Sequence, residues 1–305
     1  MKIGLMLPLG EDDVLGRPFS VAHLLAMAEA AEEAGLDSVW AADHLLFRHD
    51  DGRPLGIHEC WTLLAAVAAR TQRVEIGPLV LAVPFRNPAV TAKMATTMDE
   101  LSGGRFVLGI GCGWYEPEFD AFDIPFDHRV GRFEEALQVM LPMVRDGSAT
   151  FDGRWHAARD AQVAPRGPRP NGPPVLIAGK GPRMMRLVAR HADAWNAAWY
   201  GPPSEAADLR QRIENLHRAC ADEGRDPATI ALTAGVFVGF PHLPADGGEA
   251  APDRAMSGDV EAVAGMLAGY HELGLSELMV HLWPNTVAAV EELGRAAARA
   301  RELST

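Results

Sequence analysis

Eight short apolar segments, separated by segments with helical periodicity, constrain the fold of this chain more than any other feature. We predict β-strands at these segments, which cover residues 2–8, 38–42, 74–82, 105–111, 174–179, 193–198, 230–239 and 277–282. The segments are too apolar to keep one face in water, which is typical of parallel strands covered by helices. Eight strand–helix units close most naturally into a (β/α)8 TIM barrel of the α/β class.

The main alternative is an open doubly wound sheet. Such a sheet carries the dinucleotide fingerprint G-x-G-x-x-G after an early strand. Neither glycine cluster of the chain has this pattern, because "GIGCGW" (109–114) and "GKGPRM" (179–184) both lack the third glycine. We therefore predict a single barrel domain over residues 1–305, with insertion loops at its C-terminal face.

Local signals predict some helix ends. Ser20 precedes a helical segment and Gly35 follows it, which matches the preference for Ser at the N-cap and for Gly just past the C-terminus. An apolar stripe after Arg132 predicts another helix, and Pro142 predicts that this helix is kinked or ends early.

Three connections exceed about 12 to 15 residues, the length beyond which loops are usually functional or disordered. They span residues 43–59, 146–173 and 240–256. The first and third follow the carboxyl ends of strands, where barrel enzymes build their active sites, so we predict lids there. The middle connection follows a helix and is rich in Pro and Gly, and a surface excursion is an equally good interpretation.

The composition argues against several classes of partner. The chain has 28 Lys and Arg residues against 41 Asp and Glu residues, and its net charge of −13 repels nucleic acid and anionic lipid. No apolar run reaches about 18 residues, the length needed to span a membrane. The start "MKIGLMLPLG" is interpreted as a strand and not as a signal peptide. We expect a cytoplasmic protein that binds neither nucleic acid nor membrane.

Cysteine usage agrees with this location. Cys60, Cys112 and Cys220 are odd in number, far apart and without metal-binding spacing, so we expect neither a disulfide framework nor a metal site. The patterns G-x-S-x-G and H-E-x-x-H are also missing from the sequence, which weakens hydrolase and metalloenzyme hypotheses.

Residues suited to chemistry follow three of the predicted strands. Asp43 and His44 come directly after the second strand, and an Asp beside a His can set the imidazole tautomer while the His moves protons near neutral pH. A His that merely bonds a loop is the alternative. After the third strand, Arg86 and Asn87 precede a helix, and both could bind an anion at its N-terminus. The alternative for Asn87 is that it caps this helix.

The turn "GKGPR" (179–183) after the fifth strand is the strongest local anion signal. Glycines lead into a helix whose N–H groups point outward, and Lys180 and Arg183 flank them. A tight turn that needs glycine for its shape is the alternative. Glycine-lined strand ends and one basic turn suit a large, flat, phosphorylated cofactor.

Three stretches resemble the bacterial luciferase-like monooxygenase superfamily. They are "SVWAADH" (38–44), residues 73–119 and "VLIAGKGPRMMRLVARHADAWN" (175–196). Members of this superfamily are (β/α)8 barrels that use flavin mononucleotide (FMN) or the deazaflavin coenzyme F-420. The second and third stretches look more like the deazaflavin-using branch than like luciferase itself.

The resemblance implies where cofactor and substrate bind. Asp43 and His44 would border the cofactor ring and the substrate, and a non-proline cis peptide at Leu79–Val80 would form a bulge behind the ring. The residues implied to contact the cofactor are Asp43, Leu79, Val80, Ala82, Gly111, Cys112, Gly113, Trp114, Gly179, Lys180 and Gly181, to which the local sequence adds Arg183.

One departure from the family pattern bears on the substrate. The sugar-phosphate dehydrogenases of the deazaflavin branch have Glu immediately after the second glycine of the pair, where this chain has Trp114. A glucose 6-phosphate activity is therefore not expected. Proton transfer would fall to His44, with Glu116 or Glu118 as weaker candidates.

The residues and the resemblance together predict an oxidoreductase in which coenzyme F-420 exchanges hydride with a small organic substrate. An FMN-dependent monooxygenase, which uses reduced flavin and oxygen, is the alternative. A non-catalytic flavin- or deazaflavin-binding protein is the third hypothesis. A homodimer is expected, because dimers are common in the family and helices around the second to fourth strands could supply the contact.

Overall fold

Eight parallel strands form a barrel in the computed structural model of the protein, which describes residues 1–12, 17–49, 51–244 and 251–304. The strands are β1 (Lys2–Met6), β2 (Ser38–Ala41), β3 (Glu75–Pro78 and Leu81–Ala82), β4 (Leu108–Gly111), β5 (Val175–Ala178), β6 (Ala194–Tyr200), β7 (Ala231–Gly239) and β8 (Glu277–Trp283). Each strand pairs in parallel with its sequence neighbours, and β8 pairs with β1. The predicted eight strands and the (β/α)8 fold are confirmed.

Strand β3 closes the barrel through its two segments. The first segment pairs with β2, and the second pairs with β4, with Leu81 opposite Ile110. Between the segments lies a cis peptide bond at Leu79–Val80, at the position that the family resemblance implied.

Helices alternate with the strands around the barrel. They are α1 (Val21–Glu33), α2 (Cys60–Arg70), α3 (Pro88–Leu101), α4 (Glu116–Ala121), α5 (Arg129–Asp146), α6 (Pro182–His191), α7 (Ala207–Asp222), α8 (Val260–His271) and α9 (Val287–Leu303). Ser20 caps α1 by accepting a hydrogen bond from the His23 N–H, as predicted, and α1 ends two residues before Gly35.

Helix α5 continues past Pro142, so the prediction that it ends early was wrong. Proline removes one backbone hydrogen bond from the helix. The turns around it are nevertheless held in the core, where Leu141, Met143 and Val144 are buried. Gly147 then ends the helix by donating its N–H to the carbonyl oxygens of Pro142 and Met143, both at 3.1 Å. Burial of the apolar face outweighs the missing bond.

The barrel interior has its own apolar cluster. It consists of Met6, Trp40, Leu79, Val107, Leu176 and Met279. Ala42, Val80 and Trp199 pack against this cluster and remain partly exposed. Active sites of such barrels lie at the carboxyl ends of the strands. We call this end of the barrel the barrel mouth.

The long connections differ in structure. The first contains a short antiparallel pair, Phe47–Arg48 with Pro54–Leu55. The middle one is a hairpin, Ser148–Asp152 with Ala157–Gln162, that packs along α5 with most of its residues exposed, which agrees with the interpretation as a surface excursion. In the third, whose role as a lid stays a prediction, residues 245–250 lie outside the described residues. Of the helices described, none combines the length and apolar character needed to cross a membrane.

Candidate active site

A buried carboxylate orients the imidazole of His44 at the end of β2. Glu118 on α4 is 1% exposed, and its Oε1 lies 3.0 Å from Nδ1 of His44. Its other oxygen accepts the backbone N–H of Leu45 at 2.9 Å. Because an ionised carboxylate only accepts hydrogen bonds, Nδ1 of a neutral His44 carries the proton. Nε2 has no hydrogen bond with another described residue and is the nitrogen available for proton exchange.

Aromatic rings surround His44. The Phe47 ring centroid is 4.3 Å from the imidazole centroid, and Trp114 meets the imidazole edge-on at 5.7 Å. Trp114 itself is 64% exposed. The carboxylate that sets the tautomer of His44 is therefore Glu118 and not the adjacent Asp43, whose oxygens have other partners.

Asp43 forms a buried ion pair that ties β2 to β3. Its oxygens accept hydrogen bonds from Nη1 and Nη2 of Arg86 at 2.7 and 2.8 Å, and from the N–H of Ala82 at 3.0 Å. Arg86 also donates to Glu59 at 2.7 Å. Burial alone would lower the pKa of Arg86, but the bonds to the two carboxylates raise it by more, so that the pKa of Arg86 lies above its usual range. Asn87 caps α3, as the local alternative predicted.

The ends of β3 and β4 lie close together beside Gly111. A Cβ atom on Gly111 would lie 2.9 Å from Cγ2 of Val80, so the backbone of β4 can approach β3 only because this residue is glycine. The neighbouring Cys112 is partly buried, and burial raises the pKa of its thiol. Burial therefore disfavours the thiolate, which is the reactive form of a cysteine nucleophile.

The junction of β5 and α6 supplies N–H groups and positive charge. Gly181 is the N-cap of α6, and because it has no side chain, no side-chain hydrogen bond caps the first turn of the helix. Lys180 beside it is exposed, and Nε of Arg183 lies 3.0 Å from Oε2 of Glu134 on α5. A free helix N-terminus next to cations favours a phosphate group.

Sequence reasoning missed Arg129 and Trp155, which complete this junction. Nη1 of Arg129 donates to the carbonyl oxygen of Gly113 at 2.8 Å and so joins β4 to the start of α5. Trp155, at the tip of the middle hairpin, lines a cavity of about 280 Å³ together with Arg129 and Arg183. The basic stretch "HRVGR" (128–132) at the start of a helix could have identified Arg129, whereas nothing local places Trp155 there.

The predicted site residues thus fall into two groups. The first group lies where β2, β3 and α4 meet, and it contains Asp43, His44, Ala82 and Glu118. The second lies at the ends of β4 and β5 and contains Gly113, Gly179, Lys180, Gly181 and Arg183. Trp114, directly after Gly113, contacts His44 and so links the two groups.

A sequence profile described as luciferase-like monooxygenase matches residues 1–247 of the chain. The chain belongs to this family. The family prediction made from the three stretches is therefore confirmed. One relative is the F420-dependent glucose-6-phosphate dehydrogenase of Amycolatopsis mediterranei (strain U-32), which is 38% identical over 58% of this chain and 53% of its own length.

A second family relative is the phthiodiolone/phenolphthiodiolone dimycocerosates ketoreductase of Mycobacterium sp. (strain JLS). It is 32% identical over 77% of this chain and 66% of its own length. The chain thus spans about half of the first relative and just under two thirds of the second. Among solved structures, an F420-dependent secondary alcohol dehydrogenase in complex with an F420-acetone adduct superposes with a TM-score of 0.80 at 18% identity, covering 98% of this chain and 99% of that chain.

Proposed function

We propose that this protein is an oxidoreductase that uses coenzyme F-420 to exchange hydride with the carbonyl or alcohol group of a small organic substrate. The observation that carries the proposal is the imidazole of His44, fixed by the buried Glu118, at the carboxyl end of β2. Two relatives, named as an F420-dependent dehydrogenase and as a ketoreductase, support the same class of reaction.

The residues present fit such a cofactor. Glycine at positions 111 and 113 leaves the end of β4 without large side chains of its own, which suits a flat ring lying against backbone. The uncapped N-terminus of α6, with Lys180 and Arg183, suits a phosphate. Arg129 lies between the two and adds a cation. When bound, F-420 would supply hydride in its reduced form or accept it in its oxidised form.

The chain's own residues supply a proton and a dry environment. In alcohol oxidation, Nε2 of His44 accepts the hydroxyl proton and the carboxylate of Glu118 stabilises the imidazolium that forms. In ketone reduction, this imidazolium donates the proton from Nε2 to the substrate oxygen and becomes neutral. Phe47 and Trp114 cover the imidazole and limit the access of water. Asp43, which is fully occupied by Arg86 and Ala82, holds the strand ends in place.

Cofactor titration tests the proposal. Purified protein is titrated separately with F-420 and with FMN, and binding is followed by fluorescence. We expect micromolar or tighter binding of F-420 and no substrate-dependent oxygen uptake after its reduction. Tight FMN binding together with rapid oxygen uptake would refute the proposal in favour of a monooxygenase. Binding of neither cofactor would refute it altogether.

A single variant tests the role of His44. Simple ketones and enones are screened with reduced F-420, and the oxidised cofactor is measured by absorbance. For a ketone that the wild type reduces, His44→Ala is expected to lower kcat by about 100-fold or more, the scale of general acid–base catalysis. The affinity for F-420 should not change. Equal turnover would remove His44 from the mechanism.

We further propose that the chain acts in the cytoplasm as a homodimer of single-domain subunits. Helices α2 and α3, which flank β2 to β4, are the proposed contact. The net charge of the chain, −13, supports the proposal that it binds neither nucleic acid nor anionic membranes. Sedimentation analysis at micromolar concentration tests the dimer, and a monomer mass would refute it.

A further inference from the structure

Four aromatic residues line the side of the barrel mouth formed by β6, β7 and β8. Trp199 lies on β6, Phe237 on β7, and His281 and Trp283 on β8. Ring centroids are 4.4 Å apart for His281 and Trp283, 5.4 Å for Trp199 and Phe237, and 5.7 Å for Trp199 and His281. We call these four residues the aromatic wall.

The aromatic wall faces the mouth and not the surrounding helices. Met279 belongs to the interior cluster, and because strand side chains alternate, His281 and Trp283 point to the same interior side. Phe237 lies opposite His281 in the register of β7 and β8. Trp199 packs on the interior cluster, and a Cβ atom on Gly235 would come within 2.5 Å of its ring. The glycine makes room for this indole.

The aromatic wall presents polar atoms that are left without partners. No described residue makes a hydrogen bond to the imidazole of His281 or to the indole N–H of Trp199 or Trp283. Two fully buried tryptophans differ from these partly exposed ones, because the indole N–H of Trp40 donates to Ser38 at 2.7 Å and that of Trp195 donates to the Gly179 carbonyl at 2.9 Å. Aromatic side chains with an unused N–H next to a cavity are typical of ligand-binding surfaces.

Charge is scarce around the aromatic wall. Residues 195–203, 233–241 and 278–286 contain no Lys, Arg, Asp or Glu. The described cation in contact with it is Arg254, whose guanidinium lies 4.2 Å above the Phe237 ring. A surface of this kind favours a flat, uncharged ligand over a sugar phosphate.

We propose that the aromatic wall binds the organic substrate, and that this substrate is a planar, uncharged carbonyl compound whose oxygen accepts a hydrogen bond from His281. The inference rests on the proposed function, since it names the substrate class of the same site. Burial lowers the pKa of His281 to about 4, so at neutral pH its imidazole is neutral and positions the substrate. Proton transfer remains with His44.

Binding measurements test the proposal with 1-tetralone, a neutral bicyclic ketone, and with glucose 6-phosphate as the anionic comparison. Dissociation constants are measured by calorimetry on protein saturated with oxidised F-420. The variants are Trp283→Leu and His281→Gln, and His217→Gln, an exposed histidine on α7, is the matched control. We expect Trp283→Leu to raise the Kd for 1-tetralone about tenfold and His281→Gln about fivefold, with His217→Gln unchanged.

The outcomes separate this inference from the proposed function. Failure of the wild type to bind F-420 refutes the proposed function. If F-420 binds but 1-tetralone binds no better than glucose 6-phosphate, the substrate class is wrong. An unchanged Kd for 1-tetralone in both wall variants, or a tenfold loss of F-420 affinity in Trp283→Leu, shows that the aromatic wall does not hold the substrate. Circular dichroism of each variant establishes that it is folded.

Discussion

At the scale of single residues, the bond between Glu118 and His44 decides what the site can do. A neutral amide at position 118 keeps the shape of the side chain but removes the charge that stabilises an imidazolium. We therefore expect Glu118→Gln to lower kcat by about 10- to 100-fold without changing the affinity for F-420. Steady-state kinetics with a ketone that the wild type reduces measure this. Glu116→Gln, an exposed carboxylate on the same helix, is the control and should retain full activity.

The ion pair between Asp43 and Arg86 has a structural role that can be measured separately. Asp43 is 3% exposed, so removing Arg86 leaves a buried carboxylate without its main partner. We expect Arg86→Gln to lower the free energy of unfolding in urea by about 3 to 5 kcal/mol. Arg70→Gln breaks the exposed pair with Glu29 and should cost at most about 1 kcal/mol. Equal losses in both variants would contradict the assigned role of Asp43.

At the scale of elements, the approach of β4 to β3 depends on glycine. A Cβ atom on Gly109 would lie 2.0 Å from the carbonyl oxygen of Pro78, a backbone atom that cannot move without displacing β3. We expect Gly109→Ala to destabilise the protein by about 1 to 3 kcal/mol in urea unfolding and to weaken F-420 binding. Gly265→Ala is the control, because no atom lies within 4 Å of its added Cβ in α8 and alanine favours a helix. A loss of stability in the control, or none in Gly109→Ala, would refute this explanation.

The sequence predicts elements well where a local pattern determines them. The apolar runs place all eight strands, and Ser20 marks the start of α1. Of the two outcomes predicted at Pro142, a kink or an early end of α5, the early end was wrong, because burial of the residues around Pro142 depends on the rest of the fold.

Contacts between distant segments were harder to predict. Glu118 and His44 are 74 residues apart in the sequence. From the sequence, the adjacent Asp43 is an equally good partner for the His44 imidazole, but in the structure Asp43 is bound to Arg86. The aromatic wall joins three strands that are far apart in the sequence. Only the register of β7 and β8 shows that Phe237, His281 and Trp283 share one face.

At the scale of the whole molecule, strand β8 carries one titratable group toward each end of the barrel, the buried Glu277 and the partly buried His281. Glu277 starts β8 at the amino-terminal end, where Ser38 and Trp40 donate hydrogen bonds to it. Burial raises the pKa of Glu277 to about 7. His281, near the mouth, has a pKa that burial lowers to about 4. Both shifts favour the neutral form, but they act on stability with opposite sign as the pH changes.

This opposition predicts how stability depends on pH. Between its ordinary pKa of 4.5 and its folded pKa of about 7, Glu277 is protonated mainly in the folded chain, so its contribution, about 3 kcal/mol, is lost as pH rises through that window. Between its folded pKa of about 4 and its ordinary pKa of 6.5, His281 is protonated mainly in the unfolded chain, so its contribution is lost as pH falls. We expect the free energy of unfolding of Glu277→Gln to rise more steeply from pH 4.5 to 7 than that of the wild type. We expect the free energy of unfolding of His281→Gln to rise less steeply than that of the wild type from pH 4 to 6.5. Urea unfolding at half-unit pH steps measures both slopes, with Glu272→Gln, an exposed carboxylate after α8, as the control. Slopes in either variant that match the control would show that these two groups titrate alike in the folded and unfolded chain.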